Sequence, residues 1–315
     1  MQKILITGAN GQIGSDLVAR LRDKHGRDSV ISSDLRPPAN PSHGPHEIVD
    51  VTQLEQLRDV VDKYQVTTIY HLASILSVTG EKHPNLAWQV NMNGLKNVLD
   101  VAVATECQVF WPSSIAVFGP TTPRINTPQR TVLEPQTIYG ITKSAGELLC
   151  NYYHQHFGLD VRGVRYPGLI SYTAPPGGGT TDFTIDMLRA AAASEPYVCF
   201  VGPETRLPMM YMPDAVKASL QLMEAPAAGI SIRTSYNIEA VSFTAAELEA
   251  EIRKSIPDFI CTYEPDFRQE IADSWPSTLD DSDARNDWNW KPDFGLSEMV
   301  SDMLLHLKEL SKIPT

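Results

Sequence analysis

A short apolar run, Lys3-Ile4-Leu5-Ile6-Thr7-Gly8, stops at a glycine, and Gly11 and Gly14 follow at three-residue intervals as an amphipathic segment opens and runs to about His25. This order reads as strand, tight turn, helix. In G-x-x-G-x-x-G the first glycine permits the turn, the second lets backbone approach a pyrophosphate, and the third lets the helix pack closely on the strand. A second apolar strand, Ser29 to Ser33, ends in Asp34, twenty residues past the last glycine. A carboxylate at that place accepts both ribose hydroxyls of an adenosine and repels a 2′-phosphate, which favours NAD over NADP, with Arg36 as an opposing charge. The alternative reading of the same residues is a set of turn glycines and a surface aspartate.

The alternation continues with His46 to Val51 as strand, Thr52 to Tyr64 as helix, Thr67 to Ala73 as strand and Leu86 to Thr105 as a long helix. Strands alternating with helices predict an α/β class, a Rossmann-type doubly wound parallel sheet. Asp50-Val51 falls at a strand end where an adenine edge would lie, and an aspartate starting a helix also serves as a cap; both roles suit it. Tyr70-His71-Leu72-Ala73-Ser74 leaves the sheet at its carboxyl end, the side on which ligands bind, so Ser74 is either a substrate contact or a turn serine. The long helix has apolar residues on more than one face, which means deep burial or a partner subunit.

Composition narrows the class. The 42% hydrophobic content of the 315 residues is spread along the chain, and no stretch approaches the roughly 20 apolar residues that span a bilayer. With 26 basic and 38 acidic residues the net charge is −12, which disfavours nucleic acid and anionic lipid as partners and leaves a small-molecule substrate. In so acidic a chain a homodimer formed through long helices is the expected assembly. Cys107, Cys150, Cys199 and Cys261 form no C-x-x-C pair, and His154 and His156 point in different directions on a helix, so no metal site is expected. Met1-Gln2-Lys3 runs directly into Ile4-Leu5-Ile6, so no export leader and a cytoplasmic location are expected.

Chemistry enters with Tyr139-Gly140-Ile141-Thr142-Lys143. Four residues apart on a helix, the phenol and the ammonium share one face. A free phenol ionises near pH 10, and lowering that by about three units takes roughly 4 kcal/mol of preferential interaction with the phenolate; a nearby ammonium and a cationic nicotinamide are sources of it. Taken alone, Y-x-x-x-K also describes a packed ring beside a solvated lysine. Upstream, the strand Gln108 to Trp111 ends in Pro112-Ser113-Ser114-Ile115-Ala116-Val117-Phe118-Gly119, which brings Ser114 to the carboxyl edge shared by Gly8, Asp34 and Ser74.

T-G-A-N-G-Q-I-G, S-S-I-A-V-F-G and Y-G-I-T-K, in this order and spacing, resemble an extended short-chain dehydrogenase/reductase of the kind that includes the nucleotide-sugar epimerases. The resemblance implies Tyr139 as catalytic base, Lys143 bound to the nicotinamide ribose and lowering the tyrosine pKa, and Ser114 orienting the substrate oxygen. The NAD site taken with it comprises Gly8, Asn10, Gly11, Gln12, Ile13, Asp34, Asp50, Val51, Leu72, Ala73, Asn91, Tyr139, Lys143 and Tyr166.

In the second half, Arg165-Tyr166 leads to Pro167 where the epimerases usually carry an asparagine that holds the sugar nucleotide. Proline offers neither an amide side chain nor a backbone N–H. R-Y-P-G-L-I-S, and later I-A-D-S-W-P, D-D-S, A-R and D-W, resemble instead the short-chain type of L-threonine 3-dehydrogenase, which implies oxidation of L-threonine at C3 to L-2-amino-3-oxobutanoate. Gly177-Gly178-Gly179-Thr180-Thr181-Asp182 reads as a loop entering a helix, where Gly179, Thr180 and Thr181 reach a substrate carboxylate, or as a surface loop capped by Asp182. Trp275 either closes the pocket from the smaller lobe or packs there. The expected division is residues 1–168 as NAD-binding domain and 169–315 as substrate lobe, with about 208–240 returning to the first.

Overall fold

The computed structural model describes residues 2–38, 44–173 and 179–310. Gly177 and Gly178, and residues 39–43 of the segment after Asp34, lie outside the described residues.

Strand β1 (Ile4–Thr7), helix α1 (Gln12–His25), β2 (Val30–Asp34), β3 (His46–Ile48), α2 (Leu54–Tyr64) and β4 (Thr68–His71) follow the alternation of the sequence. Then come two short helices, α3 (Ser77–Lys82) and α4 (Pro84–Trp88), α5 (Gly94–Thr105), β5 (Gln108–Phe110) and β6 (Ser113–Ser114). The expected single helix over Leu86 to Thr105 is interrupted by a widened turn at Gln89–Asn93, where the Gly94 N–H bonds the Gln89 carbonyl five residues back. Helix α6 (Ile138–Phe157) carries Tyr139 and Lys143, followed by β7 (Val161–Arg162) and β8 (Val164–Tyr166). The sheet order is β3-β2-β1-β4-β5-β7, parallel throughout, and it reverses between β1 and β4. A crevice outside the strand ends at such a reversal is the standard ligand position.

Gly163 splits the strand that runs from Val161 to Tyr166 into β7 and β8. Its first half pairs with β5, and its second half pairs with β6 on one side and β12 (Tyr236–Asn237) on the other. Before β12 come β9 (Gly168–Ile170), α7 (Phe183–Ala193), β10 (Tyr197–Cys199), β11 (Arg206–Tyr211) and α8 (Met212–Glu224). Helix α8 packs on α1, and its Ala215, Ala218 and Leu222 join Leu17, Tyr236, Trp288 and Trp290 in one core. The opposite sheet face is covered by α2, α5 and α6 through Leu57, Val61, Leu95, Val98, Leu99 and Cys150.

The smaller lobe has its own core, in which α7, α9 (Ala245–Ser255) and α12 (Leu296–Leu310) pack together. Its strands are β13 (Val241–Thr244), antiparallel to β11, and β14 (Cys261–Tyr263), parallel to β10. Thr244 starts α9 with a reciprocal cap: its hydroxyl accepts the Glu247 N–H and the Glu247 carboxylate accepts the Thr244 N–H. Short helices α10 (Arg268–Asp273) and α11 (Ser282–Trp288) flank the segment that brings Trp275 back toward the sheet. No helix among the described residues is long and apolar enough to cross a membrane.

Candidate active site

The turn after β1 is built on glycine because nothing larger fits. Gly8 has φ of +70°, and a Cβ there would lie 2.6 Å from the Ala73 nitrogen; one on Gly14 would lie 2.4 Å from the Gly8 carbonyl oxygen. The N-cap of helix α1 is Gly11, which offers no side-chain cap, so the first-turn N–H groups of Gln12, Ile13 and Gly14, residues that line the crevice, receive nothing from a capping side chain. Beside them, Gln12 Nε2 is buried without a hydrogen-bond partner among the described residues. These donors suit an anion such as a pyrophosphate. Asp34, at the end of β2, is held by the Asn10 N–H at 3.1 Å and the Leu35 N–H at 2.8 Å, while Asn10 Nδ2 donates to the Arg36 carbonyl at 2.8 Å. The donor set and the oriented carboxylate fit a dinucleotide.

From this turn a cleft of about 240 Å³ runs along the strand ends to the smaller lobe. Gly8, Gly11, Gln12, Ile13, Leu72, Ser74, Ser114, Tyr139, Lys143, Tyr166, Gly179, Thr180, Thr181 and Trp275 all line it. Asn10, Asp34, Asp50, Val51, Ala73 and Asn91 lie outside that lining. For Asp50 the local bonds are those of a turn: Oδ1 accepts the Thr52 N–H at 2.9 Å and the Thr52 hydroxyl at 2.8 Å, and Val51 is buried beneath Gly94. The Asn91 amide is engaged by protein at both ends: Oδ1 accepts from Ser74 and the Ile75 N–H, and Nδ2 donates to the Ile75 carbonyl and Thr142. Asn91 thus supports the segment that presents Ser74. Tyr166 lines the wall with its ring while its hydroxyl bonds Ser219 and the Ala215 carbonyl.

At the reacting end, Thr137 caps α6 by accepting the Gly140 N–H at 3.0 Å, which places Tyr139 in the first turn. Ser114 Oγ accepts the Ala116 N–H at 3.2 Å, which leaves its proton for a group in the cleft it shares with Tyr139, and the hydroxyl acts to lower the Tyr139 pKa. Lys143 is 3% exposed; its Nζ donates to the Pro112 carbonyl at 2.7 Å and sits 4.7 Å from the Trp111 ring centre and 5.6 Å from that of Tyr139. Burial pushes the phenol up to about 12, with the Ser114 hydroxyl opposing it, and pulls the ammonium down to about 7. The protein's own groups therefore assemble the trio but do not by themselves ionise the tyrosine at neutral pH.

The family model for the NAD dependent epimerase/dehydratase family matches residues 4–238. The chain belongs to that family. Among family members, an L-threonine dehydrogenase of Cupriavidus necator in its holo form is 55% identical, covers 97% of this chain and 100% of its own, and superposes with a TM-score of 0.95. A monomeric L-threonine 3-dehydrogenase from a metagenome is 48% identical over 98% of this chain and 100% of its own, also at 0.95. The mitochondrial L-threonine 3-dehydrogenase of Sus scrofa is 47% identical over 96% of this chain and 82% of its own length.

The cleft also contains residues that the pattern of the sequence did not single out for the site. Leu76 and Ser77 enter through α3, and Ser113 and Ile115 flank Ser114. Ser77 stands three residues past Ser74, but a helix beginning there carries no cap or period strong enough to announce it.

Proposed function

We propose that the chain is an NAD-dependent L-threonine 3-dehydrogenase, oxidising L-threonine at C3 to L-2-amino-3-oxobutanoate with release of NADH. The observation that carries this reading is the meeting of Ser114, Tyr139 and Lys143 in a cleft whose wall includes Pro167, in a chain alike end to end to enzymes named for threonine. Pro167 withholds the side-chain amide a nucleotide sugar would use, which supports a small substrate.

NAD, when bound, supplies the hydride acceptor. The first-turn N–H groups of α1 would hold its pyrophosphate, Asp34 its adenosine ribose, and Lys143 its nicotinamide ribose. Tyr139, as phenolate, takes the proton from the threonine hydroxyl. Ser114 donates a hydrogen bond to the same oxygen as it becomes a carbonyl. Lys143 places positive charge beside the phenolate and so favours its ionised form. Gly179, Thr180 and Thr181 stand where a carboxylate would be received, with Trp275 closing the cleft above. No metal is needed for these steps.

We also infer a homodimer formed on α4 and α6. These helices touch, and Leu86 and Trp88 on one and Ile141, Leu148 and Tyr152 on the other leave a large apolar surface exposed. Sedimentation would read a dimer that Leu148→Glu converts to a monomer; a monomeric wild type would overturn it.

The test of the activity is NADH absorbance with NAD and L-threonine, compared with L-serine, allo-threonine and a UDP-sugar. Release of NADH with L-threonine in preference to the others is expected. Retained cofactor with turnover of the UDP-sugar alone would sink the reading.

A further inference from the structure

Ser114 belongs to β6 and Tyr139 to α6, and one side chain ties the two elements together. Glu147 lies four residues past Lys143 on the same face of α6, with its side chain 1% exposed. Its Oε1 accepts Ser113 Oγ at 2.6 Å and Arg165 Nε at 2.8 Å, and its Oε2 accepts Arg165 Nη2 at 2.7 Å. Arg165 Nη1 donates in turn to the Gln129 carbonyl and to Asn237 Oδ1, both at 3.0 Å. In the β6–β8 pairing Ser113 stands opposite Arg165 and Ser114 opposite Tyr166. A buried ion pair is a weak source of net stability against an apolar core of equal volume. Here it instead defines geometry, because one carboxylate fixes the helix of the base to the strand of the serine.

We propose that Glu147 is a positioning residue of the active site, holding α6 against β6 so that Ser114 keeps its separation from Tyr139 and Lys143. The proposal rests on the reading of Tyr139 as the base. Charge works in the same direction. The fall that burial imposes on Lys143 is opposed by Cys150 and by the Glu147 carboxylate. The titratable groups packed around the two are Tyr139 and Cys150 on α6, His71 on β4 and Arg165 on β8. Burial holds Cys150 as thiol and pulls His71 down to about 3, so both are neutral at pH 7. Of this set, Glu147 remains as the charged group that acts on Lys143, with Arg165 as the charged partner of Glu147.

Two variants test it. Ser113→Ala removes one hydrogen bond and leaves no buried charge, while Glu147→Gln removes the charge and keeps the shape. Each is measured for cooperative melting, NADH affinity, and kcat and KM with L-threonine. Each is also measured for tyrosinate absorbance of the NAD-bound protein, titrated against Tyr139→Phe in the same background. NADH affinity and KM should hold within about threefold. The kcat should fall about tenfold in Ser113→Ala and about a hundredfold in Glu147→Gln. In both, the Tyr139 titration should move to higher pH. A changed melting temperature with kcat within about twofold and the Tyr139 titration unmoved overturns the proposal. If Glu147→Gln does not fold, Ser113→Ala decides by the same two readings. A wild type that releases no NADH from L-threonine counts against the dehydrogenase reading alone, since the tyrosinate titration needs no substrate.

Discussion

The Tyr139 phenol is pushed up to about 12 by burial, and the Ser114 hydroxyl offsets only part of that rise. Each unit of pKa corresponds to about 1.4 kcal/mol, so ionisation near neutral pH needs further positive charge at the ring. Binding NAD is expected to lower the Tyr139 titration, read as tyrosinate absorbance against Tyr139→Phe; a titration unchanged by NAD would contradict a phenolate base. Activity should therefore rise with pH along the limb where Tyr139 loses its proton. Tyr139→Phe should lower kcat by about 10² to 10⁴-fold, the usual worth of a general base. Asp34 governs cofactor choice at the same scale. With its carboxylate gone, a 2′-phosphate meets Arg36 without like-charge repulsion. Asp34→Gly should cut the NAD over NADP ratio of kcat/KM by at least about tenfold, and a ratio unaltered in steady-state assays would mean that Asp34 does not face the ribose.

At the scale of elements, α6 depends on two small-residue contacts. A Cβ on Gly140 would lie 2.2 Å from the Ala116 carbonyl oxygen, and one on Gly146 2.4 Å from the Trp111 ring on which Lys143 rests. Gly146→Ala should therefore push the helix off Trp111, lower stability by about 1–3 kcal/mol in denaturant titration and reduce kcat as well. Unchanged kcat would show that the Lys143 seat tolerates the shift. The parts of this architecture visible in the sequence are those with local causes. Gly8 to Asp34 is legible because turn, helix start and strand end are each specified within a few residues. Tyr139 and Lys143 are legible because helical spacing alone puts them on one face. The widened turn at Gln89–Asn93 is not, because it answers to distant contacts: Asn91 must reach Ile75 and Thr142, and Gly94 must sit on Val51. Glu147 continues the spacing of Tyr139 and Lys143 by four more residues, yet its partners Ser113 and Arg165 are distant in sequence and meet only through strand pairing. The α10, α11 and β13 segments are short and lack a sustained period, so only tertiary packing defines them.

Across the whole molecule, Asp160 joins the sheet to the segment that returns from the second half of the chain. Its carboxylate accepts from Arg162, Arg233 and Gln108, and Arg162 Nη1 reaches the Leu222 and Ala225 carbonyls at the C-terminal end of α8. Burial would raise the Asp160 pKa, but the hydrogen bonds from Arg162, Arg233 and Gln108 together hold it well below the ordinary 3.8. Because the folded value is the lower one, this contribution is fully present above pH 3.8 and is lost as the pH falls toward the folded value. Asp160→Asn should cost about 3 kcal/mol at pH 7 in chemical unfolding, by leaving buried arginines unpaired, and should flatten the decline in stability below pH about 4. An equally steep acid decline in the variant would place the sensitivity elsewhere. The central claim joins the NAD turn, the Ser114-Tyr139-Lys143 trio and the Pro167 wall into one reaction, and the fate of the hydrogen on C3 tests it most directly. With L-threonine deuterated at C3, mass spectrometry of the released cofactor should find one deuterium in NADH, and Tyr139→Phe should form that labelled NADH about 10² to 10⁴-fold more slowly. Unlabelled cofactor, or cofactor never released, would contradict it.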